Sequence, residues 1–286
     1  QAVSRGLGDV YKRQVPPILE KLANRERGLI LVTGVTGSGK STTLASMIDH
    51  INLHKNKHVI TIEDPIEYLI KDRRSLVSQR EIGLDTNSFS KALRAALRQD
   101  PDVILIGEMR DQETIETAMV AAATGHLVLS TLHTFDAQET INRILSVFEP
   151  HQQDQVRRQL GSILQAVISQ RLAKRKDGQG LIPACEIMVN NARVREMIED
   201  PDKTRLISQA IETSAKETGM QSFDQSLLQL IDKGSIDLKE ALKLSNNPDD
   251  FYLKYSGVSP HQNRPSQTAK SEAPSFPSFD LEEDDD

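Results

Sequence analysis

A glycine-rich segment of eight residues constrains this chain more than any other feature. Residues 34–41 read Gly-Val-Thr-Gly-Ser-Gly-Lys-Ser and fit the pattern GxxxxGK[ST]. An apolar run at 29–32 precedes them and reads as a buried strand, and a helix is predicted to open at 42–44. Glycines let backbone N–H groups turn toward phosphate oxygens, and a helix N-terminus favours anions. We therefore expect this segment to bind a nucleoside triphosphate.

The residue types in this loop predict separate roles. Lys40 is expected to contact the β- and γ-phosphates of ATP, and the Ser41 hydroxyl is expected to bind Mg²⁺. The other expected contacts to the nucleotide come from the loop and from the start of the helix: Gly34, Thr36, Gly37, Ser38, Gly39 and Thr42.

Composition indicates a folded chain without a membrane span. The 286 residues are 37% hydrophobic, which is enough for a sizeable core. No apolar run approaches the length of about 18 residues that a membrane span needs, and the first residues lack the apolar centre of a signal peptide. We therefore expect a cytoplasmic protein with no membrane insertion. The single cysteine, Cys185, excludes an intramolecular disulfide and is expected to be a core residue.

The acidic charge is concentrated at the C-terminus. The formal net charge is −6, and residues 259–286 hold seven acids and two bases, so the rest of the chain is nearly neutral. A nucleic-acid binder usually has a strongly basic domain. No nucleic-acid partner is expected.

Apolar strand-like runs alternate with helical stretches through the first half of the chain. After the run at 29–32 they lie at 59–62, 76–78, 103–106 and 127–130. Such alternation predicts an α/β fold. Beyond Pro150, the apolar spacing over 151–174 predicts one long helix, and 183–189 is expected to be a strand.

We expect four segments along the chain. Residues 1–14 form an unmatched N-terminal remnant, 15–190 the ATPase core, and 191–258 a small C-terminal helical domain broken by prolines and glycines. Residues 259–286, rich in serine, proline and acids, cannot bury enough apolar surface to fold alone, so a disordered acidic tail is expected.

Carboxylates follow two of the predicted strands. Glu108 comes directly after the strand at 103–106, and Glu63 ends the strand that leads into the acidic stretch 63–67. The carboxyl ends of parallel strands surround the ligand in α/β folds, so both should face the phosphate loop. Glu63 is the candidate general base, and Glu108 is expected to lie beside the metal, as in a Walker B element.

Histidines and arginines complete the candidate site. His126 and His133 flank the predicted strand at 127–130 and are expected to lie on the phosphate side. Arginines that neutralise transition-state charge often come from a neighbouring subunit. Arg94 and Arg98 share one helix face, and Arg110 is a third candidate.

Four motifs together resemble those of the secretion-type ATPases of type IV pili, and within that family the PilT-like retraction motors. They are the phosphate loop at 34–41, the acidic box at 62–67, the Walker B block at 107–111 and the histidine box at 124–133. The stretch 219–225 is similar to the family's C-terminal domain, so the resemblance runs from about residue 15 to about residue 258.

The resemblance implies a RecA-like P-loop NTPase core and a hexameric ring in which ATP hydrolysis moves domains and draws pilin subunits out of the pilus base. The expected partners are further copies of the chain, inner-membrane pilus assembly proteins such as the platform protein, and pilin indirectly. The expected location is the cytoplasmic side of the inner membrane, at the pilus base.

The sequence departs from the family pattern at three places. We expect the N-terminal domain that precedes the core in family members to be missing from these residues; residues 1–14 do not resemble the interdomain linker, and 192–199 keep only part of a segment common in retraction motors. A four-cysteine zinc site, common in extension motors, is also absent, which favours retraction.

Three alternatives stay open from the sequence. A pilus extension or type II secretion ATPase would share the fold and the chemistry. A DNA-handling ATPase would share the phosphate loop but should be stimulated by DNA. A regulatory nucleotide-binding subunit would bind ATP with little hydrolysis.

Overall fold

Seven strands form one sheet in the part of the chain that the structure describes, residues 16–257 of a computed structural model. The strand order is β3-β2-β4-β5-β1-β6-β7; β7 runs antiparallel to β6, and all other pairs are parallel. The strands are β1 (Gly28–Thr33), β2 (His58–Glu63), β3 (Leu76–Glu81), β4 (Val103–Ile106), β5 (Leu127–Leu132), β6 (Leu164–Lys174) and β7 (Leu181–Val189).

Helices connect the strands and form the C-terminal region. In chain order they are α1 (Ile18–Ala23), α2 (Lys40–His54), α3 (Phe89–Ala96), α4 (Gln112–Ala123), α5 (Ala137–Ser146), α6 (Pro150–Ile163), α7 (Ala192–Glu199), α8 (Ile207–Thr213), α9 (Ala215–Thr218), α10 (Phe223–Asp232), α11 (Leu238–Leu244) and α12 (Pro248–Tyr255), with a 3₁₀ turn at Thr204–Leu206.

The sheet is buried on both faces. All residues of β1, β4 and β5 are buried, as expected for parallel strands covered by helices on both sides. One apolar cluster joins the sheet to α3–α8, and a second joins the opposite face to α1 and α2. The predicted α/β fold and its five strands between residues 29 and 130 are confirmed.

The prediction of one long helix over 151–174 is wrong. Helix α6 ends at Ile163, and Leu164 turns the backbone to an extended conformation (φ −61°, ψ 131°) and begins β6. Strand β6 lies between β1 and β7, and its residues 166–170 are all buried. A strand buried on both faces is apolar at nearly every position, so its apolar residues also satisfy helical spacing.

The C-terminal helices pack in two groups. Helices α7 and α8 contribute apolar side chains to the large cluster of the main core. Helices α10–α12 form a third cluster with the far ends of β6 and β7, through Ala173, Ile182 and Ala184. A backbone bridge between Ile187 and Gln221 also ties this region to β7. The region 191–258, expected to be one small domain, therefore packs partly against the main core and partly in a smaller core of its own.

Two expected segments, the remnant at 1–14 and the acidic tail at 259–286, lie outside the described residues. Among residues 16–257, no helix is both long enough and apolar enough to cross a membrane.

Candidate nucleotide-binding site

The phosphate loop connects β1 to α2 and depends on glycine at defined positions. Gly34 has φ of 140°, and a Cβ there would lie 2.5 Å from the carbonyl oxygen of Gln170 on β6. Gly37 has φ of 78°, and a Cβ there would meet no atom within 4 Å. Gly34 is thus required by a close backbone approach, whereas Gly37 faces open space.

Lys40 lies over the loop with its ammonium group against the backbone. Its Nζ donates to the carbonyl oxygens of Gly34 at 2.8 Å and Val35 at 3.0 Å. Burial lowers the pKa of Lys40, while the charges of Glu108 and Glu67 act in the opposite direction. The cation is therefore held at the mouth of the loop, close to two carboxylates.

The loop fits a polyphosphate. Helix α2 begins at Lys40 with Gly39 as its N-cap, and no side chain caps its first amides. The Ser38 hydroxyl is buried without a hydrogen-bond partner. Free amides at a helix start, a cation and an unpaired hydroxyl are the donors that phosphate oxygens accept from.

Glu63 ends β2 inside the cleft and is partly buried. Its Oε1 accepts hydrogen bonds from Thr61 Oγ1 at 2.6 Å and from Gln79 Nε2 at 3.0 Å. Burial raises the pKa of Glu63, and the charges of Glu67 and Glu81 raise it further, while the two hydrogen bonds act against the rise. A carboxylate oriented in this way and with a raised pKa has the properties of a general base.

Glu67 and Tyr68 contact the start of α2, and we assigned neither a role from the sequence. Ser41 Oγ donates to Glu67 Oε1 at 2.8 Å, and the hydroxyls of Thr42 and Tyr68 lie 3.0 Å apart. The density of carboxylates in the acidic box was the available signal for Glu67. No comparable signal pointed to Tyr68, because its contact depends on the path of the loop after β2.

Glu108 follows β4 and contacts a basic side chain with each oxygen. Its Oε2 lies 2.6 Å from an Arg110 guanidinium nitrogen, and its Oε1 lies 3.2 Å from His133 Nε2. The hydrogen bond from Arg110 to Glu108 raises the pKa of that guanidinium. Arg110 therefore faces the cleft of its own chain.

These side chains line one cleft of about 320 Å³. Its polar lining includes Thr36, Lys40, Ser41, Glu63, Asp64, Glu67, Tyr68, Glu108, Arg110, Thr131 and His133. No group of three or more His, Cys, Asp or Glu side chains within 16–257 could hold a metal by itself. Mg²⁺ commonly binds through one or two carboxylates, phosphates and waters, so Ser41 with Glu67 and Glu108 could hold it beside a nucleotide.

The structure separates His126 from His133. His133 follows the carboxyl end of β5 and lines the cleft, whereas His126 precedes the amino end, where its Nδ1 lies 2.9 Å from the carbonyl oxygen of Ala121. The six residues of β5 separate the two histidines by about 20 Å. The expected phosphate-side position of His126 is therefore corrected: within this chain it lies at the opposite edge of the sheet.

Arg94 and Arg98 lie outside the cleft of their own chain. Both are exposed, and Arg94 pairs with Glu113 at 2.6 Å. Their expected role toward a neighbouring subunit's nucleotide stays a prediction. Cys185 is fully buried, and burial raises the pKa of its thiol to about 12, so the expected core role is confirmed.

Curated relatives match most of this chain. It is 48% identical over 246 residues to the type IV pilus retraction ATPase PilT of Pseudomonas aeruginosa, covering 86% of this chain and 68% of that protein. It is 48% identical over 238 residues to a twitching motility protein of Neisseria gonorrhoeae, covering 83% of this chain and 63% of that protein. The chain thus spans about two thirds of the length of these relatives.

A solved structure also matches. The crystal structure of the pilus retraction motor PilT with bound ADP is 49% identical, with a TM-score of 0.76 over 84% of this chain and 68% of that one. The family described as Type II/IV secretion system protein matches residues 10–258, beginning within the segment that we expected to be unmatched. From its fold, its motifs and these matches, the chain belongs to the Type II/IV secretion system protein family.

Proposed function

We propose that this chain is an ATP-hydrolysing motor subunit of the type IV pilus machinery that powers pilus retraction and twitching motility. The observation that carries this proposal is a cleft of about 320 Å³. Lys40 and Ser41 line it together with three carboxylates, Glu63, Glu67 and Glu108. The site combines donors for phosphate oxygens with a partly buried carboxylate that can accept a proton from water.

Each side of the cleft has its own task. Lys40 and the amides at the start of α2 bind and orient the β- and γ-phosphates of ATP. Glu63, oriented by Thr61 and Gln79, takes the proton of the attacking water. Mg²⁺ held near Ser41 would neutralise charge that develops on the phosphate oxygens.

Retraction is favoured over extension by the relatives. Two curated proteins that are each 48% identical to most of the chain are described as a pilus retraction ATPase and a twitching motility protein. A strain that lacks the gene should keep surface pili and lose twitching. Loss of all pili would instead identify an extension motor, and loss of secreted enzymes a type II secretion ATPase.

The proposed assembly is a homo-hexamer on the cytoplasmic face of the inner membrane, where it would contact the platform protein of the pilus base and act on pilin indirectly. The match to the crystal structure of a pilus retraction motor supports a role in the pilus machinery, and the hexamer and its partners are part of the proposal. Size-exclusion chromatography with light scattering tests it. A mass that stays at the 31.9 kDa of one chain with Mg²⁺ and nucleotide would contradict it.

The activity is tested by steady-state hydrolysis of ATP and by binding of the fluorescent analogue mant-ADP. Lys40→Ala should lose binding and hydrolysis, whereas Glu63→Gln should bind with little change and lose hydrolysis. Lys91→Ala, at an exposed position on α3, is the matched control and should behave as the unchanged chain. Binding without hydrolysis in the unchanged chain would favour a regulatory subunit, and stimulation by DNA would favour a DNA-handling ATPase.

A further inference from the structure

Two consecutive residues of β6, Gln170 and Arg171, lie between the phosphate loop and the C-terminal helices. Gln170 is 1% exposed, in a strand whose preceding buried positions are mostly apolar. Arg171 is half-buried. Consecutive side chains of a strand point to opposite faces of the sheet, so the two reach different elements.

Gln170 contacts both the start of the phosphate loop and the first turn of the helix that follows it. Its Oε1 accepts a hydrogen bond from Thr43 Oγ1 at 3.0 Å, in the first turn of α2. Its carbonyl oxygen lies 2.5 Å from the position of a Cβ at Gly34, where the loop begins. Its Nε2 lies 3.7 Å from Cys185 Sγ on β7. These contacts fix the amide between the loop and the neighbouring strand.

Arg171 contacts the C-terminal helices. One guanidinium nitrogen donates to the carbonyl oxygen of Leu244 at the end of α11, and another donates to Asn246 Oδ1 at 2.5 Å. The guanidinium carbon lies 4.1 Å from the centre of the Phe223 ring, within the range of a cation–π contact. A planar fork of donors is suited to hold two acceptors at once, which a lysine cannot reproduce.

The end of α11 faces the outer side of the phosphate loop. A second cavity, of about 420 Å³, lies between loop residues 34–38 on one side and Lys243 and Leu244 on the other, with Gln170 and Arg171 in its wall. Ser38, whose hydroxyl has no partner, also lines it. The end of α11 therefore forms one wall of a cavity whose other wall is the phosphate loop.

We infer that Gln170 and Arg171 are positioning residues of the nucleotide site, Gln170 for the phosphate loop and Arg171 for the end of α11 opposite that loop. The inference rests on the proposed function, because it assigns the two residues to the same site. Adjacent positions on one strand then connect the loop that binds phosphate to the helices at the far end of the strand.

A double-mutant cycle tests the role of Gln170. Gln170→Met removes the hydrogen bonds with little change of volume, and Thr43→Val removes the partner hydroxyl. Each single change should raise the mant-ADP Kd about tenfold, the effect of one lost buried hydrogen bond, and the double variant should be no weaker than Gln170→Met. An unchanged Kd in Gln170→Met, or losses that add, would overturn the role.

A neighbouring contact provides the control. Ser169 Oγ accepts a hydrogen bond of 2.9 Å from Thr33 Oγ1, also buried, and neither residue contacts the cleft. Ser169→Ala should lower the melting temperature of the chain and leave the mant-ADP Kd within twofold of the unchanged value. An equal rise of the Kd in Ser169→Ala would mean that any damage to β6 weakens binding, which would contradict a specific role for Gln170.

Hydrogen exchange tests Arg171. In the unchanged chain, saturating mant-ADP should slow exchange of the amides at 238–244. In Arg171→Met, nucleotide should no longer slow exchange of the amides at 238–244, while the mant-ADP Kd changes less than threefold. Arg171→Lys should keep only part of the nucleotide-dependent protection, because lysine lacks the planar guanidinium donors. The same nucleotide-dependent protection in Arg171→Met as in the unchanged chain would overturn the role.

Exchange without nucleotide separates this inference from the proposed function. If the unchanged chain did not bind mant-ADP, the proposed function would fail. The inference would then be judged by hydrogen exchange without nucleotide. In Gln170→Met the amides of 34–41 should exchange at least tenfold faster than the same amides in Ser169→Ala. In Arg171→Met the same should hold for the amides of 238–244. Equal rates would overturn it whether or not the chain binds nucleotide.

Discussion

Ser41 and Glu67 are joined by a hydrogen bond of 2.8 Å, which places a carboxylate from the loop after β2 against the last residue of the phosphate loop. The Ser41 hydroxyl is the group expected to bind Mg²⁺, so Glu67 lies where a metal-bound water would need an acceptor. Glu67→Gln should raise the Mg²⁺ concentration for half-maximal ATPase activity about tenfold, because losing a group that hydrogen-bonds a metal ligand typically weakens metal binding by that factor.

A magnesium titration at saturating ATP measures this effect. Glu116→Gln, a change at an exposed position on α4, is the matched control. An unchanged magnesium requirement in Glu67→Gln would show that Glu67 does not serve the metal.

Gly34 and Gly37 should respond differently to alanine. A Cβ at Gly34 would collide with the Gln170 carbonyl at 2.5 Å, so Gly34→Ala should lower stability by about 3 kcal/mol, the upper part of the usual range for an overpacked core site. Gly37 has open space, so Gly37→Ala should cost only the strain of a left-handed backbone, about 1 kcal/mol. Urea denaturation of both variants measures the difference, and equal costs would contradict the close approach of β6 to the loop.

The raised pKa of Glu63 predicts an acid limb in the pH profile of hydrolysis. A general base must be unprotonated, so kcat should fall as the pH drops through that pKa, at a higher pH than for a glutamate with its ordinary value. Glu63→Gln should lower kcat by about 10²–10⁴-fold, the usual contribution of a general base.

Thr61→Val provides the control for this assignment. It removes the 2.6 Å hydrogen bond that favours the charged form of Glu63, so the acid limb should move to still higher pH. Rates are measured at saturating ATP between pH 5 and 9. An acid limb that does not move in Thr61→Val would assign it to another group.

Glu186 should make the folded chain less stable as the pH rises. This side chain is 4% exposed, and burial raises its pKa to about 7, while its Oε1 accepts a hydrogen bond from the Ala137 amide at 2.9 Å. The folded state holds the proton at pH values where the unfolded chain has released it. The contribution of Glu186 to stability is therefore present below the unfolded pKa of about 4.5 and is lost as the pH rises toward 7.

Glu186→Gln keeps an acceptor for Ala137 and cannot ionise. Its stability relative to the unchanged chain should rise by about 2 kcal/mol between pH 5 and pH 8, as the linkage of a raised pKa requires. Urea denaturation at the two pH values measures this change. A difference between the two proteins that is independent of pH would contradict the raised pKa.

Arg94 and Arg98 should matter only in an assembled form. Arg94→Ala removes one exposed ion pair, with Glu113, so stability should change by less than about 1 kcal/mol. If these arginines act on a neighbouring subunit's nucleotide, kcat of the assembled form should fall about 10³-fold while the mant-ADP Kd of the single chain stays unchanged. Arg158→Ala, exposed on α6, is the control, and full activity in both Arg94→Ala and Arg98→Ala would exclude the role.

The parallel sheet and its phosphate loop could be predicted because their signals are local. Apolar runs such as 103–106 contain little besides β-branched residues and leucine, and the loop pattern leaves few alternatives. The carboxyl ends of such strands meet at one edge, so the placement of Glu63 and Glu108 beside the loop also followed from the sequence.

The remaining features depend on contacts distant in sequence. The boundary between α6 and β6 was missed because the same apolar spacing suits a buried strand. His126 was placed on the wrong edge because nearness to His133 in sequence does not give nearness in space across a six-residue strand. The contact of Arg171 with Leu244 joins residues 73 positions apart, and no local pattern predicts such a pair.

The unequal lengths of β1 and β6 have a structural consequence. Strand β6 pairs with β1 only as far as Ser169, and beyond it residues 170–174 pair with β7 and pack against the third apolar cluster. The β6–β7 hairpin therefore projects past the end of β1, starting beside the edge of the phosphate loop. Five strand residues give this projection a length of about 17 Å, and the third apolar cluster packs against it, so the C-terminal helices are attached to the sheet well beyond the last residue that β1 pairs.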